Sequence, residues 1–163
     1  MTKQALSVCL TVLLFLTLFT GMVSAKEIAI ATVENVKGGT NVSIPVSATN
    51  ATQITGFEIW IDYDPDVMFV NLSNSVNHWE GPINIPFGQG KFYASGARAI
   101  GRDGTVPLFT MDCTAFKNDG SSTDLNVRIQ EIVEESSEVT SQYTPVNGTF
   151  TTLDEVAPNI TIT

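Results

Sequence analysis

The stretch Gly56-Phe-Glu-Ile-Trp-Ile-Asp-Tyr-Asp-Pro-Asp-Val-Met68 keeps a period of two from Phe57 to Tyr63 and then stops on an acidic turn built around Pro65. Successive side chains of a strand point to opposite sides. Phe57, Ile59, Ile61 and Tyr63 therefore share one face, and Glu58, Trp60 and Asp62 the other. The first set builds a core. The second shows water a tryptophan between two carboxylates. Tryptophan is enriched in binding hot spots, so Glu58, Trp60 and Asp62 are the candidate partner-binding residues. The competing reading is that a loop or a long neighbouring side chain covers Trp60.

The same period recurs outward from this strand, with no helical periodicity after Ala25. Strands are expected at Ile28–Val33, Asn41–Ala48, Thr55–Tyr63, Met68–Leu72, Gly90–Ser95, Thr105–Phe116, Asp124–Ile132 and Val146–Thr152. The breaks hold Lys37-Gly38-Gly39, Asp64-Pro65-Asp66, Gly88-Gln89-Gly90, Arg102-Asp103-Gly104 and Asn118-Asp119-Gly120, which are turn compositions. Pro45 has no N–H for a ladder, so it marks an edge strand or an irregularity. In the run after Thr105 the set Pro107, Phe109, Met111, Cys113 and Ala115 makes the better core face. About eight amphipathic strands joined by short loops predict an all-β fold of two antiparallel sheets packed face to face. Residues 74–87 read as a long loop with a short strand at most.

The N-terminus carries a different signal. Lys3 precedes an almost wholly apolar run from Leu6 to Phe19, and Val23-Ser24-Ala25 offers the small residues that a signal peptidase reads. Cleavage after Ala25 leaves 138 of the 163 residues, the size of one domain. The stretch Ala5–Val23 is also long enough to serve as an uncleaved anchor. Either way the domain, residues 26–152, is exported. Residues 153–163 read as a linker or the start of a truncated following domain.

The exported part has seven basic side chains against seventeen acidic ones. That surface repels nucleic acid and anionic lipid. Five Asn-X-Ser/Thr sequons, at Asn41, Asn50, Asn71, Asn147 and Asn159, are possible glycan acceptors in such a chain.

Catalytic and metal chemistry finds little support. The chain has one histidine, His78, and two cysteines, Cys9 and Cys113. Cys9 lies in the leader, which leaves Cys113 without a disulfide partner and makes it a buried small hydrophobe. His78-Trp79 reads as a loop packing contact. Asp62, Asp64 and Asp66 alternate but lack the glycine and distal glutamate of an EF-hand loop, so Asp64 shapes the turn at Pro65. Glu134, Glu135 and Glu138 read as a solvated acidic loop. No enzyme is expected, and no cofactor.

Val42-Ser-Ile-Pro-Val46, Gly56-Phe57, Tyr63-Asp64-Pro65 followed by Val67-Met68, Asp103-Gly104 before a long apolar strand, and Asn147-Gly148-Thr149-Phe150 follow one another in an order that resembles the cohesin domain pattern. The resemblance spans about Ile28 to Thr152. It implies a nine-stranded β-sandwich with jelly-roll topology, related to certain cellulose-binding modules. It also implies non-catalytic binding of a dockerin, a small module that carries its own calcium, on one outer sheet face. Key polar contacts then come from the strand before Tyr-Asp-Pro. Glu58 matches the acidic residue often found there, whereas Gly56 departs from the usual polar side chain. The expected function is an extracellular dockerin-binding module in a polysaccharide-degrading or cell-surface assembly. The alternatives are a carbohydrate-binding module, with Trp60, Phe69 or Tyr93 stacking on sugars, and a spacer of a glycosylated surface protein.

Overall fold

The computed structural model describes residues 24–75, 79–80, 85–86 and 90–155. Residues 1–23, His78, Asn159 and the rest of the stretch beyond Glu155 lie outside the described residues. Among the described residues no helix is long and apolar enough to cross a membrane.

Ten strands are described in chain order: β1 (Lys26–Ile30), β2 (Val33–Val36), β3 (Asn41–Asp62), β4 (Met68–Ser75), β5 (Ile85–Pro86), β6 (Lys91–Ala115), β7 (Ser122–Glu134), β8 (Ser137–Glu138), β9 (Tyr143–Val146) and β10 (Gly148–Thr152). Strands β3 and β6 each run through both layers of a sandwich. The first half of β3 pairs with β1 and with the second half of β6, which in turn pairs with β4. The second half of β3 lies between the first half of β6 and β7. Strand β10 extends that layer from β7, and β2 follows it. Most pairs are antiparallel, but β1–β9 and β2–β10 are parallel and finish one side of each layer.

Two of the expected strands are thus one continuous β3, and two more are one continuous β6. The Arg102-Asp103-Gly104 turn expected from composition is a bend inside β6, facing a matching bend in β3. Asn50 and Gln53 take φ of 53° and 48° there. Asp103 holds the bend by accepting from the Gln53 backbone N–H at 2.8 Å and from Gln53 Nε2 at 2.6 Å. The two backbones approach so closely that a Cβ on Gly101 would lie 2.7 Å from the Gln53 carbonyl carbon. Only glycine fits that crossing.

Between the layers, alternate residues of each strand interdigitate. Ile44, Val46, Ile59, Ile61, Phe92, Phe109, Met111, Leu125 and Phe150 are completely buried. The Phe109 ring bridges the layers, with centroids 5.7 Å from both Phe57 and Phe92. Each such aromatic contact adds about 0.5–1.5 kcal/mol beyond the area it removes from water. Trp79, in the segment expected to be a loop, packs edge-on against Phe57 at 4.9 Å and donates its Nε1–H to the Pro107 carbonyl at 3.2 Å. A Cβ on Gly96 would lie 2.8 Å from Phe57 Cε1 and 3.2 Å from Trp79 Cβ. Gly96→Ala is accordingly expected to cost about 1–3 kcal/mol by overpacking, measured as a lower denaturation midpoint with an unchanged m-value.

Three local expectations need correction. Pro107 is exposed, while Val106 and Leu108 are buried along with Phe109. The register slips between Val46 and Ser47 opposite this point, and that bulge shifts the inward set by one residue. Pro45 lies in an interior strand, so of the two readings the irregularity holds. The Ala31 N–H donates to its carbonyl at 3.2 Å and β1 ends at Ile30, where no reciprocal donor exists. Glu134 is buried rather than solvated, whereas Glu135 and Glu138 are exposed. The turn at Pro65 forms as expected: Asp64 Oδ1 accepts from the Asp66 N–H at 2.8 Å, and the Asp64 N–H donates to Thr123 Oγ1 at 2.7 Å. Cys113 is buried, which pushes its thiol up to about 12, and Asp112 beside it adds to the shift. Residues 153–155 stay fastened to the body, with the Leu153 N–H on the Val36 carbonyl at 2.8 Å and the Glu155 N–H on the Asn118 carbonyl at 3.2 Å.

Candidate functional site

Glu58, Trp60 and Asp62 do lie together on the outer face of the layer formed by β6, β3 and β7. Alternation in β3 turns Phe57, Ile59 and Ile61 inward and these three outward. Across β6 their partners are Ser95, Tyr93 and Lys91; across β7 they are Glu131, Arg128 and Asn126. A bulge between Glu58 and Ile59 opposite β7 brings Glu131 beside Glu58. The face is thus three strands wide.

Trp60 is half-buried against Tyr93, their ring centroids 4.9 Å apart and the planes tilted by 53°. A neighbouring side chain does flank it, as the competing reading held, yet that neighbour is itself an aromatic on the same face. Phe69 lies on the opposite layer, so Trp60 and Tyr93 form a pair and not a line of three. The two carboxylates do not stand free, as alternation alone implies. Glu58 Oε1 accepts a hydrogen bond from the Tyr93 hydroxyl. Burial, then the Glu58 bond and the Glu58 and Glu131 charges, hold the Tyr93 phenol above its ordinary range, so it stays a donor. Asp62 takes a two-pronged ion pair from Arg128, with Nε–Oδ2 at 2.8 Å and Nη2–Oδ1 at 2.9 Å. That pair is half-exposed on the Arg128 side, where screening leaves little net energy. Arg128→Ala is expected to lower the melting temperature by no more than about 3 °C, read by calorimetry.

At the other end of the face lies an open cleft of about 330 Å³. Its rim carries three carboxylates, Glu58, Glu80 and Glu131, and its floor includes Gly56 and Gly96. Glu80 is pinned there because its N–H and carbonyl both bond to Ala97, at 2.7 and 2.8 Å. A Cβ on Gly56 would lie 3.4 Å from Val133 Cβ and 3.7 Å from the Gly96 carbonyl oxygen, ordinary contact. The missing side chain at Gly56 therefore opens the cleft without being demanded by packing. Chemically the face offers an apolar aromatic ledge beside an acidic hollow, which suits a partner presenting apolar surface next to hydrogen-bond donors or cations. Among the described residues no group of three or more His, Cys, Asp or Glu is placed to hold a metal ion.

Sequence reasoning missed Arg128, Glu80 and Glu131, and named Tyr93 only as an aromatic for sugar stacking, not as the neighbour of Trp60. Alternation in β6 does put Tyr93 outward between Lys91 and Ser95, but its place beside Trp60 depends on register. The four described sequons are dispersed. Asn41 and Asn71 are exposed on the opposite layer, where both bond to the Thr114 hydroxyl. Asn50 donates to the Ala25 carbonyl at 2.6 Å. Asn147 accepts from the Val127 N–H at 2.9 Å and donates to Asn126 at 3.1 Å.

Fold and face together define a β-sandwich with an aromatic ledge and an acidic cleft on one outer sheet. The family model for the cohesin domain matches residues 27–151, and the chain belongs to that family. Its β-sandwich has the jelly-roll topology of cohesin structures. A chain in the crystal structure of a type I cohesin–dockerin complex from Clostridium thermocellum is 15% identical, with a TM-score of 0.68 over 80% of this chain and 100% of that one. A non-cellulosomal cohesin from the hyperthermophilic archaeon Archaeoglobus fulgidus is 20% identical, with a TM-score of 0.62 over 82% and 94%. A type III cohesin module from a cell-surface anchoring scaffoldin of Ruminococcus flavefaciens is 11% identical, with a TM-score of 0.61 over 79% and 88%. At these identities the likeness is one of fold. A comparison with curated proteins finds no significant match.

Proposed function

We propose that this chain is an exported, non-catalytic binding module that docks a dockerin-type partner on the face bearing Glu58, Trp60 and Asp62. The observation that carries the reading is the Trp60–Tyr93 ledge beside the cleft rimmed by Glu58, Glu80 and Glu131. It lies on the strand that, in the cohesin pattern, carries the partner contacts. Trp60 and Tyr93 supply the apolar anchor. The carboxylates orient a basic or hydroxyl-bearing segment of the partner over Gly56, and the Asp62–Arg128 pair sets the other limit of the footprint. Calcium, on this reading, belongs to the partner.

Export through the N-terminal segment would place the module in a polysaccharide-degrading or cell-surface assembly. Glycans on Asn41 or Asn71, on the opposite layer, would leave the Trp60 face open and support binding, whereas one on Asn147, which bonds to the Asp62 neighbour Asn126, would reach the margin of that face and favour a spacer. The test is to pass the secreted proteins of the source organism over the immobilised chain, with calcium and then with chelator. A dockerin-bearing protein held with calcium and released by chelator is the expected result. Retention of soluble polysaccharide with no protein partner would overturn the reading in favour of sugar binding, and retention of neither would leave a spacer.

A further inference from the structure

Two of the four exposed large apolar side chains among the described residues sit together on the layer opposite Trp60. Phe69 is 51% exposed and Phe116 53%, with ring centroids 6.4 Å apart. An apolar pair left open to water calls for a cover, and the nearest candidate is written into the same strand. The ladder slips between Val70 and Leu72, but the Asn71 amide reaches Thr114 Oγ1, and Thr114 is the residue opposite Phe69, so Asn71 and Phe69 stand on the same outer face. Asn71 opens the sequon Asn71-Leu72-Ser73. Among the described residues β4 is hydrogen-bonded on one side only, to β6.

We propose that Asn71 is an N-glycosylation site whose first sugar packs on the Phe69–Phe116 surface. The apolar C–H face of a pyranose suits an aromatic ring, whose π face is electron-rich. The five sequons are not equivalent in this respect. The residue two places before the asparagine is Gly39, Ala48, Phe69, Pro145 and Ala157 in turn, so only Asn71 has an aromatic neighbour on its own strand face. Asn71 Nδ2 donates to Thr114 Oγ1 at 2.7 Å and, at a longer 3.4 Å, to Asn41 Oδ1.

The transfer balances with a polyprenyl-phosphate-linked oligosaccharide as donor. Asn71 Nδ2 bonds to the anomeric carbon, the bond from that carbon to the phosphate oxygen breaks, and the lipid phosphate leaves. Nδ2 gives up one proton to a transferase base and keeps one N–H, which retains the shorter bond to Thr114 while the longer contact with Asn41 is given up. The inference needs export but not dockerin binding, so the two readings fail separately.

The test begins with the chain purified from the culture of its source organism and glycopeptide mass spectrometry that resolves Asn71 from Asn41 and Asn50. A glycan on Asn71 is expected; an unmodified Asn71 overturns the proposal. Packing is tested in the same host by comparing melting temperatures of the chain and its Asn71→Gln variant, each with Phe69 and with Phe69→Ser. Loss of the glycan should lower the melting temperature by about 3 °C when Phe69 is present and leave it unchanged when it is not. An equal drop in both backgrounds would overturn the packing. Phe69 is exposed, so its replacement leaves the core whole.

Discussion

Trp60→Ala is expected to weaken partner binding by about 2 kcal/mol or more, roughly 30-fold in Kd. The argument runs from position to energy. Trp60 lies in the central strand of the three that form the face, and aromatic residues at the centre of a footprint carry most of the binding energy. Its ring is half-buried and held at 4.9 Å by Tyr93, so the free protein has already surrendered much of the freedom that binding would otherwise take away. Removing it takes away the Tyr93 ring contact, about 1 kcal/mol, and leaves the inward residues Phe57, Ile59 and Ile61 in place. Titration calorimetry of the captured dockerin protein against wild type and variant reads the affinity, and thermal denaturation reads the fold. An unchanged Kd with an intact fold would remove this face from consideration. Tyr93→Phe makes a finer probe, since it keeps the ring and frees the Glu58 carboxylate from its internal donor.

How much of this was open to reading in the sequence depends on the range of the interaction that fixes each feature. The faces of β3 follow from local alternation, so Phe57 to Asp62 divide as the period of two requires. The turn at Pro65 follows from Asp64 and proline chemistry within four residues. By contrast, the continuity of β3 and β6 depends on two bends facing each other, and Asp103 reaches a residue fifty positions earlier to hold them. Composition alone reads that bend as a turn. The neighbours of Trp60 depend on register, which bulges shift by one residue at a time, and nothing near Tyr93 or Arg128 in the chain announces the partner across the strand. The carboxylates at Glu58 and Asp62 were legible as residues on a face. Their engagement with Tyr93 and Arg128 was not, because it is decided by the other two strands.

Glu134→Ala is expected to destabilise the protein by about 3 kcal/mol, lowering the melting temperature by about 10 °C. Grouped in sequence with Glu135 and Glu138, this residue looks like part of a solvated run. Yet it is two positions after the buried Ile132 on the inward set of β7, and it is buried itself. The charge survives there because every side is answered. Lys26 Nζ lies 2.5 Å from Oε2, while the Tyr143 hydroxyl and the Thr52 N–H donate to Oε1 at 2.8 and 2.7 Å. Lys26 also sits 5.5 Å from the centroid of the Tyr143 ring. Burial pushes the Glu134 carboxyl upward, but the bonds from Lys26, Thr52 and Tyr143 outweigh it and leave the group below its ordinary range. A carboxyl depressed in the folded state contributes stability that is present above its unfolded pKa and is lost as pH falls through the folded value. The contribution is therefore complete at neutral pH and disappears in acid, below the usual glutamate range. Removing the side chain strands Lys26, Tyr143 and Thr52 together, which is why the cost exceeds that of a surface pair such as Asp62–Arg128. Glu134→Gln keeps an acceptor for two of the three donors and should lose less. Denaturation midpoints at pH 7 and pH 3 separate the cases: the gap between wild type and Glu134→Gln should narrow in acid, and a gap that stays constant would show that the ion pair does not carry it. Lys26 opens β1 and Glu134 closes β7, so the same network couples the seating of β1 to the end of β7.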